Sequence, residues 1–196
     1  MISLNYPLAP NANVFTMFED LTKAINEIAK NSKKEEVFLY GDSAGAYLGV
    51  YLSAFQNNPK LIASLPFKET IKPKIKALGL ISGMFYTTKF DSTGVFLPKM
   101  IYGRNWRNNP FRPYMNPDAK EISAFLPPTI LVTGKGDFLR GYSKHFYHAL
   151  KKNGNDSILI DMVGEKPLPH AFASLLPELK ESKQANDEAI RFFTSI

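Results

Sequence analysis

Glu36-Val37-Phe38-Leu39-Tyr40-Gly41-Asp42-Ser43-Ala44-Gly45-Ala46 is the stretch that decides how this chain is read. The apolar run Val37 to Tyr40 predicts a strand, and Ala46 to Phe55 predicts a helix. Between them stands Gly41-x-Ser43-x-Gly45, the small-residue pattern of a nucleophile elbow in the strand-to-helix context such an elbow requires. The chain must turn sharply there, and larger side chains flanking the serine would crowd the turn. The serine oxygen then stands exposed beside a helix N-terminus, whose free N–H groups stabilise a developing negative charge. The other reading of the pattern is a small-residue turn that caps a helix.

Working outward, Ile2 to Asn5 reads as a short strand broken by Pro7 and Pro10. Val14, Met17, Phe18, Leu21, Ile25 and Ile28 recur at helical spacing behind a candidate cap, Asn13. The elbow helix is expected to stop near Asn57-Asn58-Pro59. Further strands are expected at Ile75 to Ile81, Thr129 to Thr133 and Ser157 to Val163, and helices at Tyr142 to Lys152 and Ala185 to Phe193. Strands alternate with helices, and several strands are apolar on both faces. That pattern predicts an α/β fold, a mostly parallel sheet covered by helices, in a single domain spanning residues 1–196.

Residues 83–125 break the alternation with Phe85, Tyr86, Phe90, Phe96, Met100, Tyr102, Trp106, Phe111, Tyr114 and Met115. A connection this long reads as a cap-like insertion, with Phe85, Tyr86, Met100, Tyr102 and Trp106 as expected walls of an apolar substrate pocket. The alternative is a subdomain packed on its own aromatics.

Composition narrows the function classes. The chain has 196 residues, 44% hydrophobic and 21% charged, ordinary values for one globular domain. It has no cysteine, which removes disulfides and thiolate metal sites and is compatible with a reducing, cytoplasmic location. No signal peptide and no membrane span are read. The net charge is +6, but the lysines are dispersed, and the densest cluster (Lys68, Lys72, Lys74, Lys76) lies in no recognisable nucleic-acid module. No nucleic-acid partner is expected, and homo-oligomerisation is left open.

A serine hydroxyl needs a base, and the base needs an orienting acid. Three histidines are present. His145 and His148 fall inside a predicted helix and read as surface or packing residues, whereas His170 lies in the loop after the last strand. Asp137 follows the strand Thr129 to Thr133, where the acid belongs in the order Ser, Asp, His. Asp156 precedes its strand and Asp161 is inside it, so both compete poorly. Gly134-Lys135-Gly136 lacks the spacing of a phosphate loop, metal-ligand patterns are missing, and Glu35-Glu36 and Glu19-Asp20 read as solvated charges.

These residues carry a resemblance. Ser3-Leu4-Asn5-Tyr6-Pro7-Leu8-Ala9-Pro10 resembles the V-D-Y-R-L-A-P segment of the hormone-sensitive-lipase-like group of α/β-hydrolases, and Phe18-Glu19-Asp20 resembles its following helix. Gly41-Asp42-Ser43-Ala44-Gly45 matches its G-D-S-A-G elbow residue for residue. Leu126-Pro127-Pro128-Thr129 with Gly136-Asp137-Phe138-Leu139 is similar to its L-P-P … D-P-L segment, and His170-Ala171-Phe172 to its H-G-F segment.

The resemblance implies an esterase or lipase acting on a small-molecule ester through Ser43, Asp137 and His170, with no cofactor or metal. The elbow residues Gly41, Asp42, Ala44 and Gly45 would shape the turn, and the Ala44 N–H would hold the oxyanion. Asn5 and Pro7 depart from the first segment, Ala46 from the elbow, Phe138 and Gly141 from the acid segment, and Ala171 from the glycine after histidine. The group's H-G-G-G oxyanion loop, the strand before it and its N-terminal cap helices precede the first matching segment, so this chain is expected to lack them. Its domain is then a shortened α/β-hydrolase with a gap in the sheet. Either Ile2 to Asn5 pairs directly with Val37 to Tyr40, or a partner chain supplies pairing, or the chain is a fragment. An alternative function is a catalytically impaired member that binds a small apolar ligand; amidase or deacylase chemistry on the same residues is a third.

Overall fold

The computed structural model describes residues 1–196, the side chains of Ser92 and Thr93 excepted. Four strands, β1 (Glu36–Asp42), β2 (Lys74–Ile81), β3 (Thr129–Gly134) and β4 (Ser157–Met162), lie in the order β1-β2-β3-β4 with every pair parallel. Parallel neighbours need crossovers, and helices supply them. β2 and β3 are buried almost throughout, as their unbroken apolar runs require, whereas β1 alternates between exposed and half-buried positions.

One face of the sheet is covered by α1 (Val14–Ser32), α2 (Ala44–Phe55) and α6 (Arg140–Lys152), whose apolar sides join one core with Leu78, Leu80 and Leu131. The other face is covered by α7 (Phe172–Leu175) and α8 (Lys180–Thr194), packed on Ile81, Ile130 and Val132. Asn13 caps α1, its Oδ1 accepting from the Thr16 N–H at 3.0 Å. Asn58 likewise caps the short α3 (Pro59–Ala63) that follows the elbow helix.

Two expectations change. Ile2 to Asn5 forms no strand, and β1 has no strand partner beyond β2 among the described residues. Of that segment Leu4 rests against the larger core, as do Tyr6 and Ala9 just beyond it, while Ile2 stays exposed. The aromatic stretch is also more inward than an open pocket wall. It contains α4 (Ser92–Tyr102), two 3₁₀ turns (Trp106–Asn108 and Arg112–Tyr114) and α5 (Lys120–Ser123). Phe111 meets Phe15, Phe18 and Tyr51 at 5.3–6.1 Å between ring centroids. The Tyr102 hydroxyl bonds that of Tyr47 and lies 2.8 Å from Thr87 Oγ1, and Tyr51 donates to the Tyr114 carbonyl.

This hydroxyl network, and separately Tyr40, whose hydroxyl donates to Asn186 Oδ1 at 2.9 Å, have a pH signature. Burial pushes Tyr47, Tyr51 and Tyr102 well above the ordinary phenol value, and burial with the nearby Asp42 carboxylate pushes Tyr40 up to about 12. The folded state holds these protons more tightly than the unfolded chain. Stability is therefore intact below pH 10, the unfolded value, and is lost as pH rises through about 12. Tyrosinate absorbance recorded with circular dichroism should show Tyr47, Tyr51 and Tyr102 ionising only as tertiary structure is lost; their ionisation near pH 10 with the fold intact would contradict this.

Candidate active site

Because the strands are parallel, all their C-terminal ends open onto one edge of the sheet, where such folds place their ligands. Ser43 follows β1 there. Its backbone sits at φ 49°, ψ −113°, a region that non-glycine residues rarely occupy. The turn is closed by the Ser43 N–H donating to the Ile81 carbonyl at 2.9 Å and by the Met84 N–H donating to the Ser43 carbonyl at 3.1 Å. Gly41 is required by close approach: a Cβ there would lie 2.6 Å from the Gly45 carbonyl carbon. Asp42 is tied sideways, its Oδ2 accepting from Ser174 Oγ at 2.9 Å. Ala44 opens α2, so its N–H has no partner within that helix.

Asp137 follows β3 across a turn in which Gly136 adopts φ 131°. Its side chain is fully buried and is held from three sides. Oδ2 accepts from Thr133 Oγ1 at 2.9 Å, and Oδ1 accepts from the Leu139 N–H at 2.9 Å. Oδ1 also lies 2.9 Å from His170 Nδ1. This is the pairing expected of an acid that orients an imidazole.

His170 comes from the loop after β4. That loop is fastened to the Asp137 turn by the Leu168 N–H donating to the Lys135 carbonyl at 2.8 Å. The His170 side chain is 22% exposed, and the exposed Phe138 ring lies against it at 4.5 Å between centroids. Ala171, standing where the resembled segment has glycine, adopts φ 54°, the left-handed conformation that glycine takes at least cost.

The loops carrying Ser43 and His170 meet at the end of β2. Ile81 accepts from the Ser43 N–H, and the next residue, Ser82, accepts through Oγ from the Ala171 N–H at 3.0 Å. The structure therefore brings the loops of Ser43, Asp137 and His170 to one end of the sheet and places the last two side chains in contact. One competing acid and one competing histidine are engaged elsewhere. Asp161 holds Arg140 at 2.7 and 2.8 Å, and His145 lies 3.5 Å from Asp118.

The five expected pocket residues lie in different surroundings. Phe85, Tyr86 and Tyr102 are buried core residues: Phe85 packs on Phe146 and Tyr86 on Tyr142, while Tyr102 joins the hydroxyl network. Trp106 is half-buried with Arg107 over its ring. Met100 lines a cavity of about 650 Å³ between the start of α1 and α4. A second groove, of about 600 Å³, lies at the opposite end of the sheet, among Lys72, Lys74, Lys76, Phe125 and Pro127. Neither cavity touches Ser43 or His170.

Ser82 and Thr133 were not singled out from the sequence. A serine or threonine at a strand end carries no pattern of its own, and only the folded contacts identify their partners. Among the described residues no helix is long and apolar enough to cross a membrane.

Comparison with known proteins agrees with this architecture. A family model for the alpha/beta hydrolase fold matches residues 1–174. Esterase B from Lactobacillus rhamnosis, solved with a tributyrin phosphonate inhibitor, superposes with a TM-score of 0.85 at 19% identity, covering 98% of this chain and 64% of that one. Carboxyl esterase 2 from the mycorrhizal fungus Tuber melanosporum gives 0.72 at 18% identity, covering 96% and 65%. A Pyrobaculum calidifontis esterase gives 0.70 at 20% identity, covering 97% and 64%. The chain thus spans just under two thirds of the length of these esterases. No curated protein sequence matches it. With parallel strands, elbow and family match in agreement, the chain belongs to the α/β-hydrolase fold family, in keeping with the hormone-sensitive-lipase-like signature of its sequence.

Proposed function

We propose that the protein is a serine carboxylic-ester hydrolase acting on small acyl esters. The observation that carries this reading is the 2.9 Å contact between His170 Nδ1 and the buried Asp137 carboxylate, at the sheet edge where Ser43 stands on its strained turn. In this mechanism Ser43 Oγ attacks the ester carbonyl while His170 Nε2 takes the hydroxyl proton. Asp137 holds the Nδ1–H tautomer and balances the imidazolium. The oxyanion is held by the Ala44 N–H at the start of α2. His170 returns the proton to the leaving alcohol, and water then releases the acyl group from Ser43 by the reverse sequence.

The exposed Phe138 beside His170 offers an apolar surface for part of the ester. Esterase B's complex with a tributyrin phosphonate supports a short acyl chain. A cytoplasmic location fits a chain without cysteine.

The reading predicts that a fluorophosphonate probe labels Ser43 covalently and that a short acyl-nitrophenyl ester is turned over. A folded protein that neither labels nor turns over the ester would sink the hydrolase reading and favour the ligand-binding alternative. That alternative draws on a specific feature: among the described residues Ala44 is the one oxyanion donor assigned, and loss of one such donor costs about 10²–10³ in rate.

A further inference from the structure

We propose that Ser82 is a positioning residue for His170, an inference that rests on the hydrolase reading given above. Ser82 follows β2 directly and is completely buried. Its backbone adopts φ 48°, a conformation that glycine would take with less strain. Its N–H donates to the Val132 carbonyl at 2.8 Å, which fixes it against β3. Its Oγ accepts from the Ala171 N–H at 3.0 Å, 89 positions further along the chain.

That N–H belongs to the residue immediately after His170. Ala171 is buried with φ 54°, and its amide N–H needs an acceptor. Ser82 provides it. Ile81, one residue earlier, accepts from the Ser43 N–H at 2.9 Å. The end of β2 therefore serves as a common reference for nucleophile and base. One residue fixes the Ser43 backbone, and the next fixes the backbone beside the imidazole. Asp137 sets the imidazole's tautomer and orientation, whereas Ser82 sets where the ring is anchored. A base displaced by about 1 Å from its near-attack position costs about 10²-fold in rate.

The test compares Ser82→Ala and Ser82→Gly with the parent protein, Gly being a residue that suits φ 48° if Ala folds poorly. Rates are expressed per Ser43 titrated by the fluorophosphonate, so that unfolded protein does not enter. The proposal expects kcat per site to fall about 10²-fold with KM little changed. It also expects the low-field proton resonance of His170 Nδ1–H to broaden or vanish, a signal that needs no turnover. Retention of both rate and resonance overturns the proposal, as does a lower rate with the resonance intact. If the parent protein hydrolyses nothing yet shows the resonance, and both variants lose it while melting near the parent temperature, the hydrolase reading falls while the positioning of His170 by Ser82 stands.

Discussion

Ser43→Ala is expected to lower turnover of a short acyl ester by about 10⁴-fold or more and to abolish fluorophosphonate labelling. The hydroxyl is the only atom removed, and among the described residues it makes no hydrogen bond whose loss would disturb the fold. The variant should therefore melt at nearly the parent temperature. Ser43→Gly sharpens the test. The backbone at φ 49° and ψ −113° is costly for any side chain, so the glycine variant should be equally inactive yet more stable, by about 1–3 kcal/mol. Opposite movements of stability and activity at one position mark strain held for function. A Ser43→Ala protein that keeps parental turnover would falsify the assignment of the nucleophile. Kinetics with an acyl-nitrophenyl ester, together with thermal unfolding, measure both quantities.

Asp137→Ala is expected to lower kcat by about 10⁴-fold and, unlike the Ser43 variants, to destabilise the protein. The Thr133 hydroxyl and the Leu139 N–H both donate to this carboxylate, and its removal leaves them buried without that acceptor, at about 1–3 kcal/mol each. Asp137→Asn should behave differently from both. The Leu139 N–H demands an acceptor at the Oδ1 position, so the amide oxygen settles there and the amide nitrogen faces Thr133, whose hydroxyl can rotate to accept. The oxygen at Oδ1 still receives the Nδ1–H of His170 and keeps the productive tautomer. What is lost is the negative charge that balances the imidazolium. The asparagine variant should therefore retain more activity than the alanine variant and unfold near the parent temperature. Equal losses of kcat in the two would show that the orienting role of Oδ1 has been misjudged. Parallel kcat and melting measurements on the two variants decide it.

Local pattern made much of this molecule legible. The strand Val37 to Tyr40 extends to Glu36–Asp42, and the elbow helix begins at Ala44 rather than Ala46 because the helix starts directly at the turn. The run Tyr142 to Lys152 extends back to Arg140, and Ala185 to Phe193 becomes Lys180–Thr194. Polar first turns carry no apolar period, so periodicity sees such helices late. Ile2 to Asn5 looked like a strand because short apolar runs favour extended backbone, but a strand exists only where a neighbour offers its edge, and composition does not report neighbours.

The aromatic segment was legible as unusual but not in direction. Phe85 and Tyr102 are buried while Phe90 and Phe96 stand out in solvent, and nothing in residue type distinguishes the two pairs. Charge at the acid was legible, but the contacts that hold it were not. Thr133 lies four residues before Asp137 and reads as an ordinary strand threonine until its hydroxyl is seen on Oδ2.

The order of apolar runs, the small residues around Ser43 and the positions of Asp137 and His170 after their strands determined the fold class and pointed to three candidate residues, because backbone sterics and side-chain period act over neighbouring residues. Tertiary structure alone decided that β1 ends at the sheet's edge, that Asp137 and His170 meet at 2.9 Å, and that Ser82 grips the residue after the imidazole. Those outcomes depend on contacts between segments far apart along the chain, and such contacts are set by how the whole core packs rather than by any local preference.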